Sequence, residues 1–184
     1  MKAKPSKHAG EVVLELKPKD QELLAAAANK SPLPGFRVKK ILVPIDFSDC
    51  SRKALRYAIP LASQNQATIT LLYVVTRPNY IGTEYSGAMD YASYEIDLRK
   101  SGEADLKQWA EKEVPETVSV NTRVTTGPPA PHIVEFAKTL PADLIVISTH
   151  GRTGIKHMLL GSVAEHVVRS APCPVLVVPE HEQA

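Results

Sequence analysis

Ala142-Asp-Leu-Ile-Val-Ile-Ser148 runs into Thr149-His-Gly-Arg-Thr-Gly154, then Gly161-Ser162 starts a new segment to Ser170, and Pro174-Val-Leu-Val-Val178 follows. The first and last pieces are short, apolar and rich in β-branched residues, as in strands buried on both faces. Residues 162–170 between them read as a helix. Strand, loop, helix and strand in that order make one crossover unit, with parallel strands and a right-handed connection.

The same alternation extends back toward residue 38. Lys40-Ile-Leu-Val-Pro-Ile45 reads as another buried strand, and Asp46-Phe-Ser-Asp49 as a polar loop with helix-capping candidates. Residues 51–65 place apolar side chains at 54, 55, 58, 59, 61 and 62, a helical spacing in which Pro60 should introduce a kink. Residues 67–75 (ATITLLYVV) are a second strand. A connection with tyrosines and glycines over 76–92 leads to a long polar helix over 94–113, and 119–125 alternate as a third strand. Gly127-Pro-Pro-Ala-Pro131 opens a helix over 131–140, because proline is tolerated in a first turn. The expected fold class is therefore α/β: a single three-layer domain whose parallel sheet is covered on both faces. Ligands of such sheets bind beyond the carboxyl ends of the strands, where strand order reverses. The strand-end loops that carry unusual chemistry are 46–51 and 148–162.

Composition narrows the function classes. With 43% hydrophobic and 23% charged residues, the 184-residue chain reads as soluble and globular, not disordered. Its apolar runs are strand-sized, so no membrane span is expected. Residues 1–19 lack the continuous apolar core of a secretory signal. Two cysteines, Cys50 and Cys173, make neither a disulfide framework nor a zinc-ligand pattern, which points to a reducing cytoplasmic setting and no bound metal. The formal charge of +2 is uneven: residues 1–40 hold nine Lys/Arg against four Asp/Glu, and residues 41–184 hold thirteen against sixteen. A mildly acidic domain behind a basic leader argues against a nucleic-acid-binding core. The leader ends at Ser31-Pro-Leu-Pro-Gly35; before that, residues 11–17 read as a short strand and 20–30 as a short helix.

The 148–162 loop supports two readings. Phosphates need backbone N–H groups at close range, and glycine permits both the approach and a positive φ. A helix start adds unpaired donors and a favourable dipole. On that reading Gly151, Gly154, Gly161 and Ser162 form a phosphate cradle, with His150, Arg152 and Lys156 as accessory groups. On the other, Ser162-Val-Ala-Glu165 is a capping box, Gly151 and Gly154 are turn residues, and His150 is a solvated loop histidine.

Residues 148–178, from Ser-Thr-His-Gly-Arg-Thr-Gly through Gly-Ser-Val-Ala-Glu to Pro-Val-Leu-Val-Val, resemble the C-terminal signature of the universal stress protein family, and Ile41-Leu-Val-Pro-Ile-Asp-Phe-Ser48 resembles its opening strand. The resemblance covers residues 39–179. It implies a Rossmann-like, adenine nucleotide alpha hydrolase-like fold with five parallel strands in the order 3-2-1-4-5 and a cleft between the first and fourth. It divides the chain into an N-terminal extension (1–37), a universal stress protein domain (38–180) and a tail (181–184). The family's ATP-binding members carry Gly, two residues, Gly, nine residues, then Gly followed by Ser or Thr. Gly151, Gly161 and Ser162 match, and Ser148 stands where the first glycine would be. By the same resemblance Pro44, Ile45 and Asp46 line the adenosine pocket, Asp46 toward the ribose, with Val74 and Gly127 at its border and Val163 after the Gly-Ser pair. The implied ligand is ATP, with or without Mg. The implied assembly is a homodimer through the last strand, with neither nucleic acid nor membrane as partner.

Three rivals remain. Gly151-Arg-Thr-Gly154 also fits the GxxG loop of an RNA-binding KH module, but that loop joins two helices and this one follows a strand. A dedicated ATP-hydrolysing or adenylating enzyme is disfavoured, because no Walker A, GxSxG or HExxH pattern is present and His150 and Asp46 are the only base candidates near the loop; weak hydrolysis stays compatible with the sequence. The third is a dimeric stress or scaffold protein of the same fold that binds no nucleotide, which Ser148 favours. For Cys50, near a helix start, the inert thiol is preferred to a reactive one. Tyr73, Tyr80, Tyr85, Tyr91 and Tyr94 are read as core and surface filling, not as a lid.

Overall fold

The computed structural model describes residues 2–5, 12–15, 37–76, 91–151 and 160–180. They fall in two compact units, Met1–Phe36 and Arg37–Ala184. In the first, β1 (Lys2–Pro5) pairs antiparallel with β2 (Val12–Glu15), Lys2 opposite Glu15 and Pro5 opposite Val12. The sequence had marked the second strand and named no partner for it. The helix read over 20–30 lies outside the described residues.

The second unit follows from strands that are apolar on both faces. β3 (Lys40–Ile45) pairs in parallel with β4 (Thr68–Val75) on one side and with β6 (Leu144–Ser148) on the other. β5 (Val120–Thr126) extends the sheet beyond β4, and β7 (Val175–Val178) extends it beyond β6. The order is β5-β4-β3-β6-β7, which is 3-2-1-4-5 counted within this unit. Successive strands are added to one side of β3 and then to the other, so the cleft expected of such sheets falls between β3 and β6.

Alternate residues of each strand enter opposite core layers. Ile41, Val43, Ile69, Leu71 and Val146 pack with Leu55 of α1 (Asp49–Asn65) and Leu106 of α2 (Tyr91–Glu113). Leu42, Leu72, Val74, Ile145 and Ile147 pack with Ile133 of α3 (Pro129–Thr139) and Val167 of α4 (Ser162–Ser170). The result is the expected three-layer arrangement. Pro60 lies inside α1 and on its exposed side. It removes one backbone donor without ending the helix, which runs on to a left-handed cap at Gln66. α3 begins two residues earlier than the 131–140 reading, with proline at its first position.

The amino end of β3 is pinned from β6. One oxygen of Asp143, Oδ2, accepts from the backbone N–H of Lys39 at 2.8 Å and of Lys40 at 2.9 Å, and the Asp143 N–H donates to Lys40 O at 2.9 Å. Replacing Asp143 with Ala leaves two strand-end donors without their charged acceptor. The expected loss is about 1–2 kcal/mol of stability, read as a lower urea midpoint at unchanged slope.

Candidate functional site

The carboxyl ends of β3, β4 and β6 and the start of α4 enclose a cleft of about 380 Å³. Of the residues singled out above, Pro44, Ile45 and Asp46 line it from β3, Val74 from β4, Ser148, His150 and Gly151 from the loop after β6, and Gly161, Ser162 and Val163 from the head of α4. Gly127 does not line it. Its φ is +144°, and an added Cβ would stand 2.3 Å from the His132 ring, so this glycine serves the turn into α3. Arg152, Gly154 and Lys156 lie outside the described residues, as do Tyr80, Tyr85 and the side chain of Tyr91.

Several lining residues were not anticipated. Leu72 and Tyr73 pair in register with Pro44 and Ile45, which carries them to the same rim. Pro129 and Ile133 come from the first turns of α3, and Ser51 from the first turn of α1. Parallel register could have found the first pair. The α3 residues depend on where that helix packs. Tyr73, read as simple filling, is a wall of the cleft, whereas Tyr94 is exposed on α2.

Asp46 is held by the loop that starts α1. Its Oδ1 accepts from the Ser48 N–H at 3.0 Å and from the Ser48 hydroxyl, while Ser48 caps α1 by accepting from the Ser51 N–H at 3.2 Å. Asp46 is thus not the helix cap; it braces the residue that is. Phe47 between them sits at φ +66°, a left-handed conformation that costs a bulky residue about 1–2 kcal/mol. Its ring meets Tyr73 edge-on at 4.7 Å and Trp109 at 6.2 Å, contacts worth about 0.5–1.5 kcal/mol each, so the strain is offset.

These two glycines stand at close approaches and not at positive φ. A Cβ on Gly151 would lie 2.6 Å from Asp46 Oδ2. Gly161 has φ −70°; its N–H donates to Thr149 O at 2.8 Å, and a Cβ would come within 3.1 Å of that oxygen. The capping box does not form. Gly161 is the N-cap of α4 with no side-chain cap, Ser162 is the first helical residue and exposed, and the Glu165 carboxylate pairs with Arg169 at 2.9 Å. The head of α4 therefore meets the cleft with a glycine as its N-cap, which brings no capping side chain of its own. Ser148 is buried, and its hydroxyl donates to His150 O at 2.7 Å, tying the loop to the strand end. His150 is not solvated: its side chain is 12% accessible, with Nδ1 3.1 Å from Thr149 Oγ1 and 3.9 Å from Glu180 Oε2.

Comparison with known proteins joins this geometry to a family. The profile of the universal stress protein family matches residues 37–179. The chain belongs to the universal stress protein family. Universal stress protein MJ0531 of Methanocaldococcus jannaschii is 41% identical over 140 residues, 76% of this chain and 81% of that protein. The structure of universal stress protein UspA from Lactobacillus plantarum superposes with a TM-score of 0.66 at 32% identity, covering 77% of this chain and 98% of that one. A universal stress protein solved in complex with cAMP has the same fold, with a TM-score of 0.53 at 23% identity, covering 77% of this chain and 97% of that one.

Cys50, in the first turn of α1, is the residue whose helix-start position could have activated it. Burial pushes its thiol above the ordinary range, and the Glu180, Asp46 and Asp49 carboxylates push it the same way. Burial, then Asp143, raises Cys173 as well. A raised thiol is neutral at pH 7, and thiolate accumulates only as pH climbs past 9. Both cysteines should react slowly with a disulfide reagent at neutral pH, with rates still rising above pH 9; a plateau below pH 8 for either would contradict the geometry.

Proposed function

We propose that the cleft binds an adenine nucleotide, ATP with or without Mg, and that the protein works as a stress-response switch with little or no hydrolysis. The observation that carries this reading is the head of α4, whose N-cap Gly161 adds no capping side chain, set beside Gly151 and across a small cleft from the braced carboxylate of Asp46. An apolar slot between Val74, Ile133 and Ile147 suits a base, Asp46 suits the hydroxyls of a ribose, and the backbone around Gly151 and Gly161 suits phosphates. The family gives the reading its context, since a member solved with cAMP shares the fold. No helix among the described residues is long and apolar enough to cross a membrane, and no cluster of His, Cys, Asp or Glu among them could hold a metal ion. The proposed working unit is residues 38–180, in the cytoplasm.

One observation favours a second reading, a scaffold of the same fold without nucleotide. Ser148 replaces the first motif glycine, and its hydroxyl is committed to His150 O. Thermal unfolding with millimolar Mg-ATP separates the two. A ligand at 100 times its dissociation constant adds about 2.7 kcal/mol, a rise in melting temperature of roughly 5–10 °C for a domain of this size. No rise, with no nucleotide released from freshly purified protein on denaturation, would select the scaffold. Gly161→Val sharpens the test by placing a branched side chain against Thr149 O. The variant is expected to stay folded by circular dichroism and to lose most ATP binding.

Assembly is proposed through β7. It is an edge strand, Leu176 on it is 36% exposed, and an apolar edge is a liability unless paired or covered. Leu176→Lys should turn a dimer into a monomer or an insoluble product, and light scattering that finds the unmodified chain monomeric would refute the interface.

A further inference from the structure

Phe47, next to the cleft-lining Asp46, is the residue whose conformation is hardest to justify locally. A phenylalanine at φ +66° has no side-chain hydrogen bond to support a left-handed backbone, unlike Asn or Asp. What holds it there is distant in sequence. Its ring packs on the core layer beneath α1 and α2, edge-on to Tyr73 of β4 and near-perpendicular, at 88°, to Trp109 of α2. Trp109 is the chain's one tryptophan, and its buried Nε1 has no hydrogen-bond partner among the described residues. An indole that gives up its hydrogen bond while keeping its ring contact places packing above polar satisfaction at this point. The backbone reversal at Phe47 lets Asp46 and Ser48, its two neighbours, face each other, so that Oδ1 of Asp46 accepts from both donors of Ser48. The other carboxylate oxygen, Oδ2, then stands 2.6 Å from where a Cβ on residue 151 would lie.

We propose that Phe47, clamped by Tyr73 and Trp109, is a positioning residue: it holds the Asp46 carboxylate at the one orientation from which it reads the sugar hydroxyls of the bound nucleotide. The proposal rests on the nucleotide reading of the cleft and extends it to a residue that does not line the cleft. It also assigns a ligand class, since a site built this way prefers a full ribose to a deoxyribose. A hydrogen bond to a carboxylate is worth roughly tenfold in affinity or more.

The test is titration of the full chain with ATP, 2′-deoxyATP and 3′-deoxyATP. The unmodified protein should bind ATP roughly tenfold tighter than at least one deoxy analogue, and Asp46→Asn should remove that preference. Phe47→Leu keeps an apolar side chain but neither ring contact. It should bring the three ligands to within about twofold of one another, chiefly by weakening ATP, while Phe47→Tyr should retain the preference. Trp109→Leu lies outside the cleft and reads the same chain of contacts, so it should also flatten the preference; it serves if Phe47→Leu does not fold. A merely structural role would weaken all three ligands equally. Phe47→Leu or Trp109→Leu that folds and keeps the full preference for ATP overturns the proposal, as does an Asp46→Asn protein that still discriminates. A parent that binds none of the three nucleotides removes the nucleotide reading itself, a different and recognisable failure.

Discussion

Everything in the second unit depends on β3 having no free surface. Ile41, Leu42 and Val43 are fully buried, both faces are covered by helices, and both edges are paired, with β4 and with β6. A strand in that position can reach solvent only at its ends. Its amino end is tied down by the Asp143 carboxylate, so the carboxyl end, at Pro44, Ile45 and Asp46, is where the chain can meet a ligand. β4 and β6 leave the sheet in the same direction, because parallel strands share a polarity. The strand-end loops therefore collect at one rim, and the reversal of order at β3 parts them there.

The cleft that results has walls of unlike character. On one side is a carboxylate whose Oδ1 is already engaged by Ser48. On another is the start of α4, whose N-cap is a glycine with no capping side chain. Apolar strand residues form the floor. The two glycines are what bring these walls close, and each answers to a particular neighbour: Asp46 Oδ2 for Gly151, Thr149 O for Gly161. Ser148 belongs to the same economy of space. Buried, with a short bond to His150 O, it stiffens the loop where a glycine would have left it looser.

The α/β class, the strand positions of the sheet and the two loops that line the cleft were legible in the residues themselves. Fully buried strands announce themselves as continuous apolar, β-branched runs, and their alternation with helical spacing leaves a parallel sheet as the economical arrangement. Strand order was not legible in this way, since pairing is a long-range choice; it came from the likeness of 148–178 and 41–48 to a family. Of the residues that line the cleft, Gly151, Gly161 and Ser162 were marked by their own residue types at a strand end and a helix start, whereas Pro44, Ile45, Asp46 and Val74 came from the same likeness.

Tertiary structure alone decided three things. The capping box at Ser162 was a sound local reading, yet the contact between Gly161 N–H and Thr149 O moves the cap back one residue and frees Ser162. The family likeness put Gly127 at the border of the cleft, but its backbone conformation and the His132 ring fit it to the turn into α3. The left-handed Phe47 could not be read from sequence, because its supports, Tyr73 and Trp109, lie 26 and 62 residues further along the chain. Local sequence sets propensities worth a fraction of a kcal/mol per residue, roughly 0–0.7 in a helix. Where a buried contact between distant segments outweighs them, only the folded chain shows which residue ends up where.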